Sequence, residues 1–137
     1  MIILDTHIWH WWANRIPNKL TREIIAIIEQ ADEVAVSTIS CFEMAWLVRH
    51  GRIDLGISIE EWFGEFEASD AVIFLPLTAA IARQAVALPE HHKDPQDRII
   101  IATSLVHDAH LISLDVAFPR YQELQGRLIP AIRPPAP

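Results

Sequence analysis

The first five residues of the chain, Met1-Ile2-Ile3-Leu4-Asp5, decide how the rest of the sequence is interpreted. The apolar run Met1-Ile2-Ile3-Leu4 is typical of a strand buried on both faces of a parallel sheet. Asp5 follows that run directly, at the strand end where open α/β sheets bind ligands. A later stretch, Leu111-Ile112-Ser113-Leu114-Asp115, repeats the order. We therefore expect Asp5 and Asp115 to lie at the same edge of one sheet, on neighbouring or near-neighbouring strands.

Helical and strand patterns alternate along the rest of the chain. An aromatic segment, 9–12, leads to a helix over 21–30. Further helices are expected from Ser40 to Gly51, from Ser58, over 78–88 and from Pro95, and short strands over 33–37, 72–75 and 128–129. Alternation with short connections favours an α/β protein, a three-layer α/β/α fold whose central, mostly parallel sheet is flanked by helices.

Length and composition indicate one soluble domain. A chain of 137 residues with 51% hydrophobic residues buries one core, which we place at 1–130, and the proline-rich end, 131–137, is expected to be a loose tail. No apolar run approaches a membrane span of roughly 18 residues. No signal peptide is expected, and the single cysteine, Cys41, excludes an internal disulfide. These features fit a cytoplasmic protein.

The net charge of −7 argues against a general nucleic-acid coat protein, because such binding depends on Lys and Arg. It is compatible with a nuclease whose acidic residues hold metal ions, and it favours a basic partner. With 4 glycines the chain has no glycine-rich phosphate loop, and it has no CxxC pair or GxSxG elbow. Its histidines do not show zinc-site spacing.

Two further acids are expected near the same sheet edge. Glu43 and Asp97 lie at the openings of predicted helices, which can bring them towards Asp5 and Asp115. Carboxylates gathered in this way repel one another unless a cation joins them. Their oxygens are ligands that suit Mg²⁺ or Mn²⁺. The four acids together predict one metal site.

Each acid also has a structural explanation. Ser40-x-x-Glu43 has the spacing of a capping box, and Asp94 before Pro95 is expected to be a helix N-cap. Asp97 in the first turn favours the helix dipole, while Asp115 is equally suited to cap a turn. Asp5 is the hardest to explain structurally, because a buried carboxylate is costly without a partner.

Two other groups of residues have both structural and substrate-binding interpretations. His91-His92-Lys93 is interpreted as a solvated loop, with contact to a substrate phosphate as the alternative. Trp9, Trp11 and Trp12 are suited to stacking on bases, but aromatic residues more often fill a core or a dimer interface.

The ordered set of motifs resembles PIN-domain ribonucleases and, within them, VapC-type toxins of prokaryotic toxin–antitoxin pairs. The similarity extends over nearly the whole chain to about residue 129, and its most specific part is the segment 88–98. The stretches that carry it are Ile3-Leu4-Asp5-Thr6-His7, Ser37-Thr38-Ile39-Ser40-Cys41-Phe42-Glu43, Gly51-Arg52-Ile53-Asp54-Leu55, Leu88-Pro89-Glu90-His91-His92-Lys93-Asp94-Pro95-Gln96-Asp97-Arg98 and, after Ile101-Ala102, Leu111-Ile112-Ser113-Leu114-Asp115.

The resemblance implies a PIN-like nuclease fold and an acidic site that holds Mg²⁺, with Mn²⁺ as the alternative. By position, the implied ligands and catalytic residues are Asp5, Glu43, Asp97 and Asp115. Thr6 and Ser113 match small polar positions near that site, Asp94 matches a capping or supporting acid, and Arg98 is implied to neutralise the acids or approach phosphate.

The activity implied is metal-dependent cleavage of RNA, with single-stranded or loop RNA favoured because its bases are accessible. The implied partners are a small VapB-like antitoxin with a basic segment and a second copy of the chain. Two alternatives stay open. A receiver-like phosphoacceptor domain normally has adjacent acids after its first strand and a late lysine at a strand end, and the chain has neither. A catalytically silent PIN-like module would use the acids only to bind a basic partner.

Overall fold

Strand β1, Ile2–Leu4, lies at the centre of a parallel sheet in the computed structural model, which describes residues 1–131. The sheet has five strands in the order β3-β2-β1-β4-β5. The other strands are β2 (Val34–Ser37), β3 (Ile73–Leu75), β4 (His110–Ile112) and β5 (Leu128–Ile129). All four pairings are parallel.

The order of the strands places a crevice beside β1. From β1 the chain builds outward through β2 to β3, and it then returns to place β4 and β5 on the opposite side of β1. The direction of winding thus reverses between β1 and β4, and such a switch point is where open α/β sheets bind ligands. Asp5 follows β1, and Asp115 follows β4 after Ser113 and Leu114. The prediction that these acids follow neighbouring strands is confirmed.

Helices cover both faces of the sheet. They are α1 (Thr6–Ala13), α2 (Arg22–Gln30), α3 (Thr38–Arg49), α4 (Ile59–Ala68), α5 (Ala79–Ala87) and α6 (Pro95–Val106). Alternate residues of the strands face opposite cores, as the two-residue period requires. Ile3 and Leu111 belong to the core under α6, whereas Leu4 and Ile112 pack with α1 and α2 on the other face. The predicted three-layer α/β/α fold is confirmed.

Several helix ends are set by the residues that the sequence singled out. Thr21, Ser58 and Thr78 are N-caps whose hydroxyls each accept a backbone N–H of the first turn. Gly51 follows the C-cap of α3 with φ of 70°, a conformation that glycine adopts without strain.

Two predicted elements are wrong at their boundaries. Helix α3 begins at Thr38, capped by Ser37, because β2 passes into the helix without a loop. Ser40 is therefore buried inside the helix and is not its N-cap, which removes the capping-box explanation for Glu43. The second is the strand expected over 111–114 before Asp115. Strand β4 ends at Ile112, so Ser113 and Leu114 belong to the loop that follows it.

The aromatic segment near the N-terminus is helical. Trp9 to Trp12 belong to α1, which begins directly after Asp5. Trp9 is fully buried, and its ring lies 4.6 Å from that of Trp62 in α4. The core interpretation of Trp9 is confirmed.

Apart from Ala131, the proposed tail lies outside the described residues. In the described part of the chain, no helix has both the length and the apolar character that crossing a membrane requires.

Candidate metal centre

One cavity of about 400 Å³ opens at the sheet edge where β1 and β4 end. The four acids singled out in the sequence come from four different elements and all line this cavity. They are Asp5 before α1, Glu43 in α3, Asp97 in the first turn of α6 and Asp115 in the loop after β4. Thr6, His7, Trp11, Asp94 and Leu114 complete its lining.

Asp5 is held by local geometry. Its backbone N–H donates to the carbonyl of Ile112 at 3.1 Å, which continues the pairing of β1 with β4. Its carboxylate oxygen Oδ1 accepts the N–H of Ile8 at 2.9 Å, so Asp5 is also the N-cap of α1. This capping role was not foreseen from the sequence, in which the aromatic segment was not recognised as a helix.

Burial makes the charge of Asp5 costly. The side chain is 7% exposed, and loss of hydration raises the pKa of its carboxyl from 3.8 to about 6. A hydrogen bond with the Ser113 side chain and the N–H of Ile8 oppose that rise without cancelling it. A cation in the cavity would offset the remaining cost.

Asp97 carries the clearest sign of crowded negative charge. Burial is the largest cause of a rise in its pKa from 3.8 to about 7, and the charge of Asp94 is the next largest. Glu43 and Asp115 raise this pKa further, whereas His92 lowers it. These carboxylates therefore influence one another across the cavity, which is the condition under which a shared cation is favoured.

His92 joins this group, although the sequence interpretation placed it in a solvated loop. Its Nε2 lies 2.8 Å from Oδ2 of Asp97 and 3.3 Å from Oδ2 of Asp115. One atom from each of these three residues lies within 4.8 Å of the other two, whereas Asp5 and Glu43 face the cavity without belonging to that group. The solvated-loop prediction is wrong for His92. Its position two residues before the helix cap Asp94 was the available signal.

The supporting residues position the acids through their hydroxyls and caps. Thr6 Oγ1 donates to Ser40 Oγ at 2.9 Å, and this buried bond joins α1 to α3. Ser113 Oγ accepts the N–H of Asp115 at 3.1 Å. Asp94 accepts the N–H of Gln96 at 2.9 Å, which confirms it as the N-cap of α6.

Asp115 uses its two oxygens differently. Oδ1 accepts the N–H of Ala117 at 2.8 Å, as an aspartate that caps a turn does, and Oδ2 faces His92. The capping explanation and a place in the acidic cluster therefore hold together for this residue.

Arg98 differs from the role that the resemblance implied. Its guanidinium donates to five backbone carbonyls: those of Ala85, Val86, Leu88, Pro89 and His92. It therefore satisfies carbonyls at the end of α5 and holds the loop that follows. Within residues 1–131 Arg98 forms no ion pair with the acids, and its approach to phosphate stays a prediction.

The donor set fits a hard divalent cation. Five carboxylates line the cavity, the four predicted ligands and Asp94, and within residues 1–131 none of them forms an ion pair with Lys or Arg. Crowded carboxylates that lack a Lys or Arg partner favour another source of positive charge. Oxygen ligands of this kind favour Mg²⁺ or Mn²⁺ over softer metals.

Known proteins agree with this architecture. The family model described as PIN domain matches residues 2–124. Ribonuclease VapC22 of Mycobacterium tuberculosis is 38% identical over 115 residues, which cover 83% of this chain and 86% of that protein.

Two solved structures show the same fold at low identity. The crystal structure of VapBC2 from Rickettsia felis, bound to a DNA fragment from its promoter, matches with a TM-score of 0.69 at 17% identity, over 93% of this chain and 97% of that one. A toxin–antitoxin complex from Klebsiella pneumoniae matches with a TM-score of 0.59 at 20% identity, over 84% and 87% of the two chains.

The fold and the family match define the class. The chain belongs to the PIN domain family. Within that family, its identity with a VapC relative over most of both chains places it among the VapC-type members. The resemblance stated from the motifs is confirmed.

Proposed function

We propose that the chain is a metal-dependent endoribonuclease and the toxin of a toxin–antitoxin pair. The observation that carries this proposal is the convergence of Asp5, Glu43, Asp97 and Asp115 on one cavity at the switch point of the sheet. The name of the relative, a ribonuclease, supports RNA as substrate. The similar fold of the toxin–antitoxin complex from Klebsiella pneumoniae supports the biological role.

The four acids are the proposed ligands of Mg²⁺, with Mn²⁺ as the alternative. A bound divalent cation supplies Lewis acidity, which activates water and stabilises the charge that develops on phosphate oxygens. The protein prepares the ligands for it. The backbone N–H of Ile8 orients the carboxylate of Asp5, and the bond between Thr6 and Ser40 fixes α1 against α3, which carries Glu43.

Single-stranded or loop RNA is the proposed substrate. Trp11 and His7 line the acidic cavity beside Asp5, and the centroids of their rings lie 5.7 Å apart. An unstacked base can stack on such rings while its phosphate reaches the acids, whereas paired bases are not free to do so. Under this proposal, recognition and cleavage occur at the same edge of the sheet.

The proposed partner is a small antitoxin with an arginine-bearing basic segment. The net charge of −7 and the carboxylates of the cavity favour a cationic segment that covers the site. A pull-down from the native host should return a small, co-encoded basic partner. Failure to recover such a protein would contradict this part of the proposal. A homodimer of the toxin is also proposed, and light scattering of the purified chain tests it.

Cleavage assays with controlled metal content test the catalytic proposal. Purified protein is incubated with single-stranded RNA in Mg²⁺, in Mn²⁺ and in excess EDTA. We expect cleavage in the presence of either ion and none in EDTA. Undiminished cleavage in EDTA would contradict the metal-dependent mechanism. Absence of cleavage in Mg²⁺ and in Mn²⁺, although the protein binds the ion, would favour the catalytically silent module.

A further inference from the structure

The loop between α5 and α6 holds His92 from several directions. Its backbone N–H donates to the hydroxyl of Tyr121 at 2.8 Å, and its carbonyl accepts from Arg98 at 3.2 Å. Its ring meets that of Phe118 edge to face, with 6.3 Å between centroids. The imidazole is therefore placed by the fold and not by chance contact in a solvated loop.

The hydrogen bonds of the ring define where its proton lies. The backbone N–H of Asp94 donates to Nδ1 of His92 at 3.2 Å, so Nδ1 presents its lone pair. A neutral imidazole then carries its proton on Nε2. That N–H donates to Oδ2 of Asp115, which lies 3.3 Å from Nε2, and Nε2 also lies 2.8 Å from Oδ2 of Asp97.

This arrangement is inconsistent with His92 as a metal ligand. To coordinate an ion, Nε2 needs its lone pair, and the proton of a neutral ring would move to Nδ1. There it would point at the N–H of Asp94, which is itself a donor. The imidazole is thus set up to donate to the carboxylates and not to compete with them for the ion.

We propose that His92 is a positioning residue, whose Nε2–H ties the carboxylates of Asp97 and Asp115 together for metal binding. The inference rests on the proposed function, because it assigns His92 a part in the same site. Asp97 and Asp115 come from different elements, α6 and the loop after β4, and their like charges repel. Ala117 holds one oxygen of Asp115, and His92 holds the other.

Without His92, the two carboxylates would separate, and an arriving ion would have to reassemble them. Groups that orient metal ligands in this way typically contribute about 10- to 100-fold to metal affinity. Glutamine at position 92 is a close substitute for the donor, because its amide nitrogen reaches about as far as Nε2 of histidine. The chain also offers a neighbouring control in His91, which is exposed.

Calorimetric titration of Mg²⁺ into the full chain, without RNA, tests the proposal. We expect His92→Ala to weaken Mg²⁺ binding about 10- to 100-fold, His92→Gln to restore most of the affinity, and His91→Gln to leave it unchanged. Thermal unfolding of each variant establishes that it is folded. If His92→Ala does not fold, His92→Gln still tests the proposal.

Four results would overturn the proposal. Unchanged Mg²⁺ binding by folded His92→Ala would remove the positioning role and leave the proposed function standing. A loss in His92→Gln as large as that in His92→Ala would mean that the donor is not what matters. A selective loss of Zn²⁺ binding in His92→Gln would identify the ring as a ligand. If the unmodified chain binds neither Mg²⁺ nor Mn²⁺, the proposed function fails together with this inference.

Discussion

On one side of the acidic cavity, Asp5 is fixed by its immediate neighbours in the chain: it ends β1, caps α1 and accepts the N–H of Ile8. On the other side, Asp97 and Asp115 come from separate elements and meet through His92, which lies in a loop held by Arg98. The first side is built by local geometry, whereas the second depends on contacts between distant residues. The difference teaches that Asp5 is positioned mainly by local structure, whereas Asp97 and Asp115 also depend on contacts with a loop from elsewhere in the chain.

Removal of Arg98 should destabilise the side of the cavity formed by Asp97, Asp115 and the loop of His92. We expect Arg98→Ala to lower the free energy of unfolding by about 3 kcal/mol, because the carbonyls that the guanidinium satisfies would lose a charged donor. Denaturant unfolding measures the change. The control is Arg83→Ala, at an exposed position of α5, which should change stability little. Equal unfolding midpoints for the two variants would contradict the structural role of Arg98.

Removal of the charge at Asp5 should raise the free energy of unfolding. Asn keeps the cap on Ile8 but does not carry the buried charge, so we expect Asp5→Asn to stabilise the metal-free protein at pH 7 by about 2 kcal/mol. Asp5→Ala lacks the helix cap as well, so it should be stabilised by about 1 kcal/mol less than Asp5→Asn. Chemical unfolding in EDTA measures both variants.

The stabilisation by Asp5→Asn should depend on pH with a definite sign. The pKa of Asp5 is raised in the folded state from 3.8 to about 6, so the folded protein takes up a proton more readily than the unfolded chain. The unmodified protein therefore gains stability as pH falls from about 6 towards 3.8, and the advantage of the variant shrinks over that range. An advantage that grows on acidification would contradict the burial of this charge.

Loss of the hydroxyl of Thr6 should have the smallest effect. Thr6→Val keeps the shape of the side chain but removes the donor to Ser40, which we expect to cost about 1 kcal/mol in unfolding free energy. The double variant with Ser40→Ala should cost less than the sum of the single changes, because no hydroxyl is then left without its partner. Additive costs in denaturant unfolding would show that the two hydroxyls do not act as a pair.

Local signals and the order of the motifs could be predicted from the sequence, whereas side-chain contacts between distant elements could not. The apolar run before Asp5 indicated its strand, and Asp94 before Pro95 indicated its helix cap, because both signals lie within a few residues. The start of α3 was misplaced at Ser40 because β2 enters the helix without the loop that normally marks a boundary.

The roles of His92 and Arg98 depend on the course of the loop between α5 and α6. No periodic pattern reveals that a loop side chain turns towards carboxylates 5 and 23 residues further along the chain. Likewise, the guanidinium of Arg98 is accounted for only when the end of α5 is placed beside α6. The acids that line the cavity could thus be predicted from the sequence, whereas the contacts that hold them together are visible only in the structure.

RNA cleavage by Asp5→Asn tests the central claim most directly. Asp54→Asn is its matched control, because Asp54 also accepts a backbone N–H but is exposed in a loop away from the cavity lining. In Mg²⁺ we expect Asp5→Asn to lose cleavage by about 100-fold or more while its fold is retained, and Asp54→Asn to cleave like the unmodified protein. Cleavage by folded Asp5→Asn at the rate of the unmodified protein would contradict the assignment of this cavity as the catalytic metal site.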